Sequence, residues 1–172
     1  MFATALAAIF ALLLLLVVVR GHASPVRHAD DARAAMRAVD LEAFRNLTDI
    51  DQERYLRSQL PARAFRRVQR ARFMATAEYL WLVAQNAAVL MRLGETAREN
   101  PDAAVAQLGS QLASSAMSVR IYSLAALVQV FVAILLPLHA PSLGSIADSY
   151  DRLTFRYSNL AQMWNLSRVP AA

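Results

Sequence analysis

Residues 121–138 read IYSLAALVQVFVAILLPL, and this stretch decides between two architectures for the chain. The run is apolar apart from Tyr122, Ser123 and Gln129. As an α-helix it is long enough to cross a hydrocarbon core of roughly 30 Å at about 1.5 Å per residue. A helix that is apolar on all sides also suits the centre of a helical bundle. The neighbouring segments must therefore decide which environment it occupies.

The segments before it favour a bundle. Apolar spacing predicts a helix over 61–93 with Gly94 as its C-cap, and a second helix over 101–136. If these two helices form a straight antiparallel hairpin, 121–138 lies beside 62–79, the most Arg-rich part of the chain. An Arg side chain at bilayer depth costs roughly 2.5–3.5 kcal/mol even on the mild insertion scale. A straight hairpin therefore predicts that 121–138 is a core helix.

Three more helices are predicted on either side of this hairpin. The first covers 30–47, and the second is a short helix that Thr48 caps and that ends before Pro61. The last covers 143–166 and has apolar residues that alternate in fours and threes, the spacing of a helix that packs along a partner helix. These residues are Ile146, Tyr150, Leu153, Tyr157, Leu160 and Trp164.

The N-terminal segment 2–19 has only Thr4 as a polar interruption. It is longer than the roughly 7–15 apolar residues of a cleavable signal, and no charged side chain precedes it. We therefore expect an uncleaved membrane anchor. The alternative is a signal peptide cleaved after Ala23, because Gly21 and Ala23 are the small residues that a signal peptidase requires.

The charges that flank this segment predict its orientation. Only the amino terminus precedes it, whereas Arg20, Arg27, Arg33 and Arg37 follow it closely. Cytoplasmic flanks carry the excess of cations. The N-terminus is therefore expected outside and the bundle in the cytoplasm, at a bacterial inner membrane; the alternative is a cleaved, periplasmic protein.

Multi-span arrangements remain as alternatives. A three-span form uses 2–19, 73–91 and 121–138 and also obeys the positive-inside rule. Its weakness is that 73–91 brings Glu78 and Asn86 to lipid depth. A two-span form, without 73–91, leaves the last helix outside.

The amino-acid composition excludes several kinds of site. Cys is absent, which excludes disulfides, thiolate zinc sites and iron–sulfur clusters. All 18 cations are Arg, which a GC-rich bacterial genome explains. The net charge of +5 has one source: residues 54–72 hold seven Arg and no acid.

This basic segment is the best candidate for a binding site. Four of its arginines share one side of the predicted helix and are the candidate contacts for anionic lipid headgroups or an acidic partner. They are Arg63, Arg66, Arg67 and Arg70. The alternative is a solvated face beside the acidic segment before it. Nucleic acid has little support, because Phe65 alone does not make the interleaved exposed aromatic residues or the recognisable module that such a site requires.

No catalytic or metal-binding pattern is present. The three His residues, His22, His28 and His139, have neither metal-ligand spacing nor a carboxylate companion. Glu95 and Glu99 read as a solvated pair near a turn. Glu78 interrupts an apolar stretch, and we expect it to pair with Arg72 or Arg120. We expect no enzyme activity, cofactor or metal.

Together these patterns predict an all-α protein: an N-terminal transmembrane helix, then a bundle of four to five helices that contains a long antiparallel hairpin. The expected division is an anchor at 1–20, a linker at 21–28, the bundle at 29–166 and a tail at 167–172. The predicted role is a structural, scaffold or accessory subunit with a protein partner or a second copy bound. The alternatives are a small multi-span subunit of a membrane complex and an enzyme of unrecognised type.

Overall fold

The structure is a computed structural model, and it describes residues 28–135 and 143–167. Within these residues the chain forms an all-α bundle of six helices and no strand. They are α1 (Ala29–Ala35), α2 (Leu41–Thr48), α3 (Ile50–Gln59), α4 (Ala62–Arg98), α5 (Ala103–Leu135) and α6 (Gly144–Ser167). The all-α prediction is confirmed. The predicted N-terminal transmembrane segment, 2–19, lies outside the described residues, so the structure does not confirm it.

The centre of the bundle is the antiparallel hairpin of α4 and α5, which pack along each other. Near the turn, the backbones of Gly94 and Gly109 meet. Toward the other end, Phe73 lies beside Ala133 in a shared depression. Residues equidistant from the turn therefore face each other. The second half of α5 lies beside the Arg-rich start of α4, as a straight hairpin predicts.

Gly94 does not cap a helix, and that prediction is wrong. α4 continues to Arg98, and Gly94 lies within it at the closest approach to α5. A Cβ atom at Gly94 would lie 2.6 Å from the Gly109 carbonyl oxygen and 2.6 Å from the Ala113 backbone nitrogen. Only a residue without a side chain fits this contact.

The predicted single helix 30–47 is also wrong, because residues 36–40 separate α1 from α2. The buried Asn86 side chain of α4 holds this break. Its Oδ1 accepts from the Arg37 backbone N–H at 3.0 Å, and its Nδ2 donates to the Arg37 carbonyl at 2.7 Å. Asp40 then caps α2 by accepting from the Ala43 N–H at 2.9 Å.

Thr48 does not cap the next helix, contrary to prediction. It is the last residue of α2, and its hydroxyl donates to the Phe44 carbonyl at 3.0 Å. Asp49 takes the capping role for α3 by accepting from the Asp51 N–H at 2.8 Å. A carboxylate beside the positive end of the helix dipole is the stronger cap.

The apolar stripe of α6 packs into the bundle as predicted. Tyr150, Leu153, Leu160 and Trp164 are buried, and Tyr157 is partly buried. α6 lies against α5 and contacts α2. The stripe is therefore part of the core.

Candidate functional site

One arginine of the basic segment has a structural role. Arg72 is buried, and its Nη2 donates to the carbonyls of Asn46, Leu47 and Asp49 at 3.2, 3.0 and 3.3 Å. These oxygens lie at the C-terminal end of α2, where the helix dipole favours a cation. The expected pairing of Glu78 with an Arg such as Arg72 or Arg120 is not found among the described residues: Arg72 binds the end of α2 instead, and no ion pair joins Glu78 to Arg120.

The four candidate arginines, Arg63, Arg66, Arg67 and Arg70, are all exposed on α4. In the described part of the chain, none of them forms an ion pair with a carboxylate. Arg66 and Arg70 line the same cavity, and Arg67 joins them in an adjoining depression. Arg63 does not line that cavity. Of the predicted set, Arg66 and Arg70 therefore lie in one cavity, Arg67 lies at its edge, and Arg63 lies outside it.

We call this cavity the arginine groove. It has a volume of about 420 Å³ and lies between α3, the start of α4 and the end of α5. Its cations are Arg57, Arg66 and Arg70, its other polar residues are Glu53 and Gln69, and its apolar residues are Phe65, Phe73, Ala133, Ile134 and Leu135. The groove therefore has a charged side and an apolar side.

The one carboxylate of the groove is already neutralised. Glu53, with a side chain only 14% exposed, accepts from Arg57 Nη2 at 3.4 Å and from Gln69 Nε2 at 3.0 Å. Arg57 also lies over the Phe65 ring, with its Cζ 5.1 Å from the ring centre. Arg57 and Glu53 compensate each other, whereas Arg66 and Arg70 have no carboxylate partner in the groove. The groove therefore has a net charge of +2.

Of the ten residues that line the groove, the sequence indicated only Arg66 and Arg70 as candidate contacts, and it assigned no such role to Arg57, Glu53 or Phe65. Arg57 belongs to the basic segment, but α3 and α4 are separate helices, and only their packing brings Arg57 beside Arg66. The contact between Glu53 and Gln69 spans 16 residues along the chain. No local spacing rule reveals such a contact.

A second exposed feature is an apolar stripe on α5, which we call the α5 seam. It consists of Ile121, Ala125, Val128, Val132 and Leu135. Ile121 is 51% and Leu135 is 71% exposed; Ala125 is also exposed, and the two valines are half-buried. The residues alternate in fours and threes, the spacing of a helix that packs along a partner helix. α6 borders the stripe at Ala125, and α3 and the start of α4 border it at Leu135, so the stripe is partly covered at these two positions.

The polar groups of the core are structural. Asn86 Nδ2 also donates to the Tyr150 hydroxyl at 2.7 Å, and the Tyr157 hydroxyl donates to the Ala29 carbonyl at 3.0 Å. Burial raises the pKa of Tyr150, and the hydrogen bond from Asn86 opposes this rise. Burial also raises the pKa of Tyr157. These hydrogen bonds join α6 to α4 and α1.

Among the described residues, no three or more His, Asp or Glu side chains are close enough to hold a metal. His28 takes part in the capping box of α1, whereas His22 and His139 lie outside the described residues. Glu95 and Glu99 are exposed.

By length and composition, α5 is the only helix in the described part of the chain that is able to cross a membrane. The predicted span 73–91 lies within α4 and does not meet that criterion. Comparison with known proteins finds no family model, curated protein or solved structure that matches the chain. The function must therefore be argued from the arginine groove and the α5 seam.

Proposed function

We propose that this protein is a membrane-anchored structural or accessory component whose bundle self-associates through the α5 seam. The observation that carries the proposal is the exposed seam itself. It extends about 21 Å along the helix, at about 1.5 Å per residue, and carries no charge. Ile121 and Leu135 are exposed at its two ends, and exposed apolar side chains on one face of a helix favour an interaction site.

The position of α6 supports a bundle surface rather than a lipid-facing span for α5. The first turns of α6 lie beside the apolar half of α5, where Ile146 and Ala126 line the same depression. Asp148 and Asp151 follow on α6, are exposed, and pair with Arg45 of α2 at 3.1 and 3.9 Å. Lipid around α5 would meet these charges at the same depth, which costs several kcal/mol.

The continuity of α4 argues against the three-span alternative. That form requires a break before 73–91, so that the arginines at the start of the helix stay outside the bilayer. α4 is one helix from Ala62 to Arg98. The three-span form would also bring Asn86 to lipid depth. Asn86 is instead buried, and its amide is hydrogen-bonded inside the bundle.

A second copy of the chain is the partner that fits the seam. The seam is neutral and apolar, so it is complementary to itself without any charge pairing. If two copies are related by a twofold axis through Val128, Ala125 of one copy faces Val132 of the other, and a small residue meets a larger one. Most soluble oligomers are symmetric associations of identical chains.

The N-terminal segment supplies the proposed membrane location. Its 18 residues, 2–19, are apolar apart from Thr4 and match the thickness of a hydrocarbon core. Residues 20–27 reach at most about 28 Å when fully extended. The bundle is therefore held close to the bilayer, with the Arg residues after the anchor on the cytoplasmic side.

Single-cysteine cross-linking tests the self-association, because the chain has no native Cys. Val128→Cys lies in the middle of the seam, and Gln111→Cys is the control on the exposed polar half of α5. After mild oxidation of membranes that contain the full chain, we expect a disulfide-linked dimer with Val128→Cys and monomer with Gln111→Cys. Equal cross-linking at both positions, or a cross-linked product of any mass other than the dimer, would overturn the proposal.

A further inference from the structure

We propose that the arginine groove binds the headgroup of an acidic phospholipid. The inference rests on the proposed membrane location but not on the α5 seam. It also goes beyond a general attraction between arginines and a negative surface. It assigns a cavity of about 420 Å³ with defined walls to one class of ligand.

The charged side of the groove suits a phosphate group. Arg66 and Arg70 are four residues apart on α4, so their side chains lie one above the other on the same face of the helix. A guanidinium binds phosphate oxygens through two parallel hydrogen bonds. Because Arg57 and Gln69 already hold Glu53, no carboxylate competes for either arginine. A monoanionic headgroup lowers the net charge of the groove from +2 to +1.

The apolar side of the groove distinguishes a lipid from a free anion. Leu135 is 71% exposed and forms one wall, beside Ile134 and Phe73. The adjoining depression that Arg66 and Arg70 share with Arg67 ends at Met74, which is 54% exposed. An acyl chain that leaves the headgroup thus has exposed apolar surface beside it on two sides. A free phosphate makes no use of this surface.

The same groove does not suit nucleic acid. Single-stranded nucleic acid is held by bases stacked on exposed aromatic side chains. Phe65 is the aromatic residue nearest the cations, and the Arg57 guanidinium occupies one face of its ring at 5.1 Å. An acidic peptide also lacks the apolar tail that the Leu135 wall accommodates. The observations therefore favour an amphiphile.

Native mass spectrometry of the full chain in a nonionic detergent tests this assignment. The probes are phosphatidylglycerol and phosphatidylcholine with the same acyl chains, inorganic phosphate, and a short poly-glutamate peptide. We expect bound phosphatidylglycerol and little phosphatidylcholine. The Arg66→Gln/Arg70→Gln variant should lose roughly 30-fold in apparent affinity, since each Arg near anionic lipid contributes about a factor of five.

Two variants with the same change of charge are the controls. Arg152→Gln/Arg156→Gln removes two exposed cations from α6, which does not line the groove, and should retain phosphatidylglycerol. Arg63→Gln/Arg98→Gln removes two exposed cations of α4 that line neither the groove nor the adjoining depression, and it should lose much less than the groove variant. The substituted arginines are exposed and form no ion pair with a carboxylate among the described residues, so all variants should keep the thermal midpoint of the parent chain.

Four results would overturn the inference. Equal losses in the two α4 variants would show diffuse attraction rather than a built site. Equal binding of both lipids would show that the headgroup charge is not recognised. Full displacement of the lipid by inorganic phosphate would indicate a site for a free anion, and tighter binding of poly-glutamate would indicate an acidic peptide. Leu135 belongs to both the groove wall and the α5 seam, but the lipid test removes the charges of Arg66 and Arg70, which lie outside the seam. The lipid result and the cross-linking result therefore fail separately.

Discussion

Replacing Gly94 by Ala should destabilise the hairpin by forcing α4 and α5 apart. The new Cβ would lie 2.6 Å from two backbone atoms of α5, on Gly109 and Ala113, where carbon atoms normally pack at about 3.5–4.0 Å. Backbone atoms cannot rotate away, so the helices must separate. Such overpacking costs about 1–3 kcal/mol, and the better helix propensity of Ala recovers about 0.5–1 kcal/mol. We expect a net loss of about 1–2 kcal/mol.

Gly109→Ala tests the same contact from the other helix, because its Cβ would lie 2.6 Å from the Ala97 Cβ and 2.8 Å from the Gly94 oxygen. The double variant should lose less than the sum of the two, since one separation of the helices accommodates both methyl groups. Gly144→Ala is the matched control, because no atom lies within 4 Å of its Cβ position.

The assay is thermal unfolding of the full chain in nonionic detergent, followed by circular dichroism. For a chain of this size, 1 kcal/mol corresponds to roughly 2–4 °C, so the expected fall in midpoint is about 2–8 °C for Gly94→Ala. Gly144→Ala should match or slightly exceed the parent chain. If Gly94→Ala is as stable as Gly144→Ala, the close packing of the hairpin described above is refuted.

Three further predictions concern the polar groups of the core. Arg72→Gln should lower the free energy of unfolding by about 1.5–3 kcal/mol, because it removes charge-assisted hydrogen bonds to the end of α2. The control Arg70→Gln changes an exposed side chain and should leave stability unchanged. Equal thermal midpoints for the two variants would contradict the capping role of Arg72. Asn86→Ala should lower the free energy of unfolding by about 2–3 kcal/mol and speed hydrogen exchange at the Arg37 amide, which loses its acceptor. Unchanged exchange at this amide would show that Asn86 does not hold the break between α1 and α2. Burial raises the Tyr150 pKa above its ordinary 10.0, so the stability that this residue contributes is complete below about pH 10 and is lost as the pH rises through the folded value. Tyr150→Phe should therefore reduce the fall in thermal midpoint between about pH 8 and pH 11, and an identical fall would show that Tyr150 does not contribute to it.

The long helices could be predicted from the sequence because their cause is local. The stripe from Ile146 to Trp164 repeats at the helical period and packs into the core as expected. The pairing of 62–79 with the second half of α5 follows from the position of the turn between two helices of similar length. Periodicity and symmetry about a turn are properties of neighbouring residues, so one sequence is enough to show them.

The wrong predictions concern residues whose structure is set by contacts with residues distant in the sequence. Residues 36–40 have a helical pattern, but Asn86 binds the Arg37 backbone across a separation of 49 residues and holds it extended. Gly94 resembles a C-cap when α4 is considered alone, and its role becomes visible only when Gly109 packs against it. The arginine groove could not be predicted for the same reason: its arginines are visible in the sequence, but the walls that α3 and α5 contribute are not.

The central claim is that one N-terminal span anchors the bundle and that α5 belongs to the bundle. Cysteines introduced singly at Ser110 and Ser158 test it most directly, because both side chains are exposed and the chain has no native Cys. In intact cells that express the full chain, an impermeant thiol reagent should label neither position, and both should label after the membrane is permeabilised. Labelling of Ser110 alone in intact cells would indicate three spans, labelling of Ser158 alone would indicate two, and labelling of both would indicate a secreted protein; each of these results contradicts the claim.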